Sequence, residues 1–318
     1  MTRTKTFASQ NDLTEKQITF ADLGGGGYAY TAEGDPNTGV VVGSDSVLVV
    51  DTQATPVMAR DVIARIRTVT DKPIRYVVMS HYHAVRVLGA SAFEPEHIIA
   101  SEDTHDLIRE RGEQDYASEV GRFPRLFRAV ESIPGLTKPT MTFQGEMRLW
   151  LGKTEVHIRQ LGRGHTKGDT IVWLPESEVL FAGDLVEFGA TPYTGDAYLA
   201  DWPATLQRLA ALRPRALVPG RGDALIGYEQ CSMAIEQTRE FVSELLASVA
   251  HGHQADLPLR EIYAETCERL RPRFGSFAIF DHCMPFDVSR AYDEVRGIRD
   301  PRIWTAERDV EMWKALET

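Results

Sequence analysis

The sequence predicts an α/β fold of stacked sheets covered by helices, continued by a helical C-terminal extension. Short apolar runs of strand length, bounded by Gly, Ser, Asp and Pro, occupy residues 38–51, 76–79, 97–100, 155–161, 170–174, 179–182 and 216–218. They form two β-rich groups joined by stretches with helical spacing, the pattern of layered sheets with helices packed on them. From residue 228 onward helical periodicity takes over, so the chain divides into a domain at 1–227 and an extension at 228–318 packed on it.

Taken in order, TGVVVG and SVLVVD within residues 38–51 flank Gly43-Ser44-Asp45 and read as a hairpin of buried strands. Met58, Val62, Ile66 and Val69 recur at helical spacing after Pro56. The strand at 76–79 runs directly into Ser80-His81-Tyr82-His83, which places two histidines at a strand exit. Residues 102–140 are charged and read as helical, with Arg122, Arg125 and Arg128 on one face, either solvated or serving as a lid over an anionic substrate. A helix at 204–212 separates the last two strands. Cys231, Ile235, Val242, Leu245 and Val249 mark a helix over 228–250, and the remainder reads as helices broken at Pro272, Pro285 and Pro301. The glycine run at 24–27 lacks the spacing and strand-to-helix setting of a phosphate loop and reads as a flexible turn.

Composition narrows the function classes. At 318 residues, 43% hydrophobic and 25% charged, the chain is an ordinary globular protein long enough for a sizeable core. A net charge of −11 disfavours non-specific binding to nucleic-acid phosphates or an anionic membrane, leaving a small-molecule substrate and, as a protein partner, a second copy in a homodimer. Cys231, Cys267 and Cys283 are odd in number and too far apart for a redox pair or zinc knuckle. With no apolar leader and no run of the ~18 residues that span a bilayer, the expectation is a cytoplasmic protein.

The chemistry concentrates at strand ends. His81 and His83, two apart, can present two imidazoles to one ion while Tyr82 points away. A third histidine, His165, lies in the Gly-rich loop 162–169, and Asp184 follows the strand at 179–182. Three imidazoles and a carboxylate at strand ends are able to converge on one edge of the sheets.

In order along the chain stand Asp51 at a strand end, Ser80-His81-Tyr82-His83-Ala84-Val85-Arg86, Gly-His-Thr-x-Gly-Asp at 164–169, Ala182-Gly183-Asp184 and Pro219-Gly220-Arg221-Gly222. Over residues 18–225 this series resembles the metallo-β-lactamase superfamily. The resemblance implies an αββα sandwich with a metal site at one edge, and most often hydrolysis of esters, lactones, thioesters, amides or phosphoesters. The family's H-x-H-x-D-H has Val85 and Arg86 in its last two positions here, and its P-G-H-G has Arg221. By that match the first metal site survives as His81, His83 and His165, while the second keeps only Asp184, so a mononuclear centre is expected.

The expected cofactor is therefore one zinc per chain, with iron or manganese as alternatives. Three imidazoles and an open position lower the pKa of a bound water toward ~7, which suits hydrolysis by metal-bound hydroxide. Asp184 is the expected fourth ligand or water-orienting base. Arg86 and Arg221 either neutralise Asp184 or bind a substrate anion or carbonyl. Tyr193 and Tyr198 are candidate donors to an oxyanion or substrate, and His282 a candidate cap over the site. Asp51 and Asp169 are expected to order the loops behind the ligands, and His97, His105, His157, His251 and His253 to be structural or exposed. Two rivals remain on the same residues: a non-haem iron or manganese oxidoreductase, and a catalytically silent anion-binding protein.

Overall fold

In the computed structural model, which describes residues 7–317, two sheets stack face to face. The first is seven-stranded, each strand lying beside the next: β1 (Thr19–Gly24), β2 (Gly27–Thr31), β3 (Thr38–Val42), β4 (Val47–Val50), β5 (Ile74–Val78), β6 (His97–Ser101) and β7 (Met141–Phe143). Its first four strands are an antiparallel meander and β4 to β7 are parallel. The second sheet contains β8 (Glu146–Leu151), β9 (Thr154–Arg159), β10 (Ile171–Leu174), β11 (Val179–Gly183), β12 (Ala216–Pro219) and β13 (Leu225–Ile226), again in sequence order, with only β11 and β12 parallel.

Alternation along the strands assigns each residue to a layer. Val41, Val50, Val78 and Ile99 meet Ile158, Val172, Phe181 and Val218 between the sheets. Val40, Val49 and Val77 point the other way, onto Ala59, Val62 and Ile66 of helix α1 (Pro56–Ile66). Because both faces are covered, these strands read as unbroken apolar runs rather than alternating ones. Helix α2 (Ala84–Val87) and α3 (Glu102–Arg122) pack together around Val85, Leu88 and Leu107. On the outer face of the second sheet, Ile171, Leu180 and Leu217 are buried by α4 (Trp202–Ala210) and α5 (Tyr228–Gln254). Helices α6 (Leu259–Phe274) and α7 (Phe280–Val295) extend this core through Leu270, Phe274, Met284 and Val288, and α8 (Ala306–Glu317) closes a smaller aromatic cluster with Phe286 and Trp304.

Two sequence expectations are corrected. The helix expected over 102–140 stops at Arg122, so Arg122, Arg125 and Arg128 do not share a helical face. Arg122 is buried against Asp309, while Arg125 pairs with Asp35 and Arg128 with Asp61 from the turn that follows. Pro272 and Pro285 do not break the chain but lie inside α6 and α7. Pro272 sits two residues from a helix end, and the hydrogen bond forfeited at Pro285 is outweighed by burial of nearly every residue from His282 to Arg290. The glycine run is, as expected, a turn: it closes the β1–β2 hairpin, with Gly24, Gly25 and Gly26 all at positive φ. The three cysteines are free, and among the described residues no helix is long and apolar enough to cross a membrane.

The two sheets come close where β3 faces β11. A Cβ at Gly39 would stand 2.3 Å from Cδ1 of Phe181. Gly39→Ala is therefore expected to overpack this layer and cost about 1–3 kcal/mol, read as a lower urea midpoint with unchanged m-value.

Candidate metal centre

The first sheet delivers His81 and His83 just past the end of β5, the β9–β10 loop delivers His165, and β11 ends one residue before Asp184. All are buried, and the three imidazoles offer nitrogens that lie within 4.8 Å of one another.

The outer nitrogen of each ring has a partner that fixes its proton. Ser80 Oγ donates to Asp51 Oδ2 at 2.7 Å and so is free only to accept from His81 Nδ1, 2.9 Å away. The backbone carbonyl of Tyr193, which can only accept, lies 2.9 Å from His165 Nδ1. Asp196 Oδ2 lies 3.2 Å from His83 Nε2, and its carboxyl, buried but facing His83 and Arg111, is held down to about 2. With these contacts made outward, the nitrogens that face inward are His81 Nε2, His83 Nδ1 and His165 Nε2. His81 Nε2 is buried without a hydrogen-bond partner, and His83 Nδ1 and His165 Nε2 stand 3.0 Å apart. Such a set needs a proton or a cation at its centre. Donors around one tetrahedral ion such as zinc, at Zn–N of about 2.0–2.1 Å, are separated by roughly 3.3 Å, to be compared with 3.0 Å between His83 Nδ1 and His165 Nε2 and at most 4.8 Å across the set, so one ion can be held here.

Charge around the cluster is arranged in the same sense. Burial, followed by the neighbouring histidines, pushes His81 well below its ordinary pKa, and burial lowers His165 to about 3, so both are neutral ligands. Burial would also lower His83, but Asp115, Asp196 and Glu119 more than offset it. Asp115 and Glu119, one helical turn apart on α3, accept the N–H groups of Ala84 (2.7 Å) and Val85 (2.8 Å) that open the short helix α2.

Asp184 completes the centre. Its Oδ2 lies 3.7 Å from His81 Nε2 and 3.6 Å from His165 Nε2, while Oδ1 is in contact with Nη2 of Arg86. Burial would raise its pKa, but Arg86, then His165 and Arg221, keep it below the ordinary carboxylate value. Arg86 is itself buried, with Nη1 donating to the carbonyl of Asn37 at 3.2 Å. Only glycine is tolerated at 220, where a Cβ would stand 2.2 Å from Asp184 Oδ1.

The remaining candidates fall elsewhere. Arg221 donates to the carbonyl of Gly34 at 3.1 Å and lies over the ring of Phe123 instead of pairing with Asp184. Tyr193 stands edge-on to His83, its ring centroid 5.7 Å away, but its polar contact with the cluster is the backbone carbonyl rather than the expected hydroxyl. Tyr198 does not join the cluster: its hydroxyl donates to Asp300 at 3.0 Å and its ring carries Arg163. His282 is enclosed by Phe7, Phe123 and Phe286 and touches none of the three histidines. Asp51 and Asp169 do order the loops: Asp51 binds Ser80, and Asp169 accepts from Thr166 N and Oγ1, fixing the turn beside His165. Asp196, Asp115 and Glu119 were not foreseen, because nothing in their local sequence separates them from surface acids.

Two outcomes are expected. Arg86→Met leaves Asp184 buried without its partner and should cost about 3–5 kcal/mol in chemical unfolding. Asp196→Asn removes the charge behind His83 and should weaken metal affinity about 10- to 100-fold in competition with a chelator, with the fold intact by circular dichroism.

Comparison with known proteins agrees with this geometry. The model of the metallo-β-lactamase superfamily matches residues 31–221. A metallo-β-lactamase type 2 of Bacillus sp. (strain 170) is 25% identical over 202 residues, 62% of this chain and 70% of that protein. Another, of Pseudomonas aeruginosa, is 26% identical over 215 residues, 64% and 78% of the two. A linear primary-alkylsulfatase of Pseudomonas sp. (strain ATCC 19151) is 22% identical over 231 residues, 63% of this chain and 44% of that one. The solved metallo-β-lactamase from Pontibacter korlensis shares the fold, with a TM-score of 0.56 at 19% identity, covering 71% of this chain and 99% of its own. With the family's pattern spanning more than half of the sequence and its histidines gathered at the edge of two stacked sheets, the chain belongs to the metallo-β-lactamase superfamily.

Proposed function

We propose that the protein is a metal-dependent hydrolase that holds one zinc ion per chain through His81, His83 and His165 and cleaves an ester, lactone, thioester or amide carbonyl of a small molecule. The observation that carries this reading is the convergence of one nitrogen from each of three buried imidazoles, the other nitrogen of each held by a hydrogen-bond partner, beside a carboxylate whose other oxygen is taken by a guanidinium. Zinc bound there supplies Lewis acidity and an activated water near neutral pH.

The chain's own groups do the rest. Asp184, ionised and anchored through Oδ1, turns Oδ2 toward the three histidines and orients the attacking water by accepting its hydrogen bond. Its depressed pKa suits it to orient rather than to store a proton. Arg86 supplies one permanent positive charge on the far side of Asp184, where a second divalent ion would meet electrostatic repulsion. Ser80, Asp196 and the Tyr193 carbonyl keep the imidazoles from rotating. Burial of the cluster keeps bulk water from competing with substrate.

Elemental analysis of protein purified without added metal tests this. One equivalent of zinc is expected, lost in His83→Ala, with hydrolysis of an ester and lactone panel abolished by chelation and restored by zinc. Two tightly held equivalents, or unchanged metal in His83→Ala, would overturn the mononuclear three-histidine assignment. Iron accompanied by oxygen uptake would replace hydrolysis with oxidation, and no metal at all would leave only a binding role.

A further inference from the structure

Arg86 and Arg221 are not equivalent. Arg86 has Asp184 as its counterion, whereas Arg221, buried at 6% exposure, has no carboxylate ion-pair partner among the described residues. Its one side-chain hydrogen bond is to a neutral carbonyl, that of Gly34. The nearby Glu187 accepts from Arg221's backbone N–H rather than from its guanidinium, and burial followed by the charge of Asp184 pushes its carboxyl well above the ordinary range.

Arg221 also borders a cavity of about 230 Å³, together with Phe123, Arg125, Lys16, Asp35 and Asp12. The acids in this wall already have partners. Asp35 accepts two hydrogen bonds of 2.6 Å from Arg125, and Asp12 is shared between Arg125 and Lys16. Glu33, also in the wall, accepts from the backbone of Gln17. Arg221 is thus the lining cation with no carboxylate ion-pair partner among the described residues, and its charge also helps hold down the pKa of Asp184.

A second, independent feature also lies against Phe123. His282 is 1% exposed, its ring centroid is 4.3 Å from that of Phe123, and neither of its nitrogens has a hydrogen-bond partner. A buried imidazole left unsatisfied on both sides costs free energy that a ligand would recover. His282 lines a cavity of about 220 Å³ that shares Ser9, Asp12 and Ile279 with the first. Ile279 holds a positive φ of 58°, a strained conformation for a β-branched residue, at this common wall.

We infer that Arg221 and His282, both packed near Phe123, form the subsite that holds an oxyanion of the substrate, a carboxylate, sulfate or phosphate, and so directs its scissile group toward the three histidines. This rests on the hydrolase reading for what lies beyond Arg221, but the subsite itself is defined by its own residues. The guanidinium gives a charge-assisted hydrogen bond and the imidazole an N–H donor, with the ring of Phe123 beside them as an apolar platform.

The test uses benzoate and its neutral isostere benzamide, with sulfate as a third probe, titrated into full-length protein at constant ionic strength. Binding is followed by calorimetry and by the shift in melting temperature, on metal-loaded and chelator-stripped samples. Native protein is expected to prefer benzoate by roughly ten- to a hundredfold. Arg221→Met should remove the preference, Arg221→Lys should retain part of it, and His282→Phe should reduce it, with metal content the same in all. Equal responses to benzoate and benzamide in native protein would overturn the proposal, and need no variant that folds. So would a preference that survives Arg221→Met, or one present only in metal-loaded samples, which would make the metal the anion's ligand. Loss of the hydrolase reading shows separately: absent or non-stoichiometric metal with the benzoate preference intact overturns that reading and leaves the subsite standing.

Discussion

The contact between Asp184 and Arg86 is the constraint from which most of this site follows. A buried carboxylate beside imidazoles of which burial keeps His81 and His165 neutral has to be neutralised, and a guanidinium does so permanently, whereas a lysine would be free to lose its proton. Satisfying it dictates much nearby. Helix α2 exists to carry Arg86 inward, and Asp115 and Glu119 on α3 satisfy the N–H groups that start that helix. Gly220 leaves room for the pair, and Asn37 supplies the carbonyl that takes the guanidinium's other edge. Replacing a chelated ion with a covalently tethered cation also changes what the edge can do, since a guanidinium offers charge and hydrogen bonds but no exchangeable coordination position.

A second theme is that orientation of the histidines is delegated to groups on separate elements. Asp51, at the end of β4 with a left-handed φ of 63°, reaches Ser80 and through it His81. The loop 193–197 supplies both the carbonyl behind His165 and the carboxylate behind His83. That loop is clamped by the C-terminal helices: Asp287 accepts from Thr194, Arg290 donates to the carbonyl of Ala197, and Trp304 donates to that of Gly195. Arg111 adds a brace by donating to both Asp196 and the carbonyl of Pro301. The extension is thereby part of the machinery that aims the imidazoles, in addition to burying the outer face of the second sheet.

Much of the architecture was legible because the buried strands and helices carry the periodicity that their surroundings demand. The β3–β4 hairpin, β5, β6, β9 to β12, α1, α4 and α5 all contain residues with water excluded on the relevant faces, and those faces are apolar. The elements that sequence reading passed over lie mostly at sheet margins: β1 and β7 border the first sheet, and β8 and β13 the second. Strands at a margin are partly solvated, as β1 and β8 are along most of their length, so they need no apolar run to form.

The sequence by itself determined the kinds of group available: three histidines and one aspartate in the family's order, with Val85, Arg86 and Arg221 where further ligands would stand. Side-chain chemistry settles that much, because no fold turns arginine into a metal ligand. Only the tertiary structure decided which arginine serves which purpose. Arg86 and Arg221 look alike in sequence, yet one meets Asp184 while the other lies over Phe123 beside a cavity. The same holds for Asp196, which lies 113 residues from His83 in sequence and 3.2 Å from it in space. Hydrogen-bond partners of this kind are fixed by distance and direction after the sheets and helices have packed, and those are not local properties of the chain.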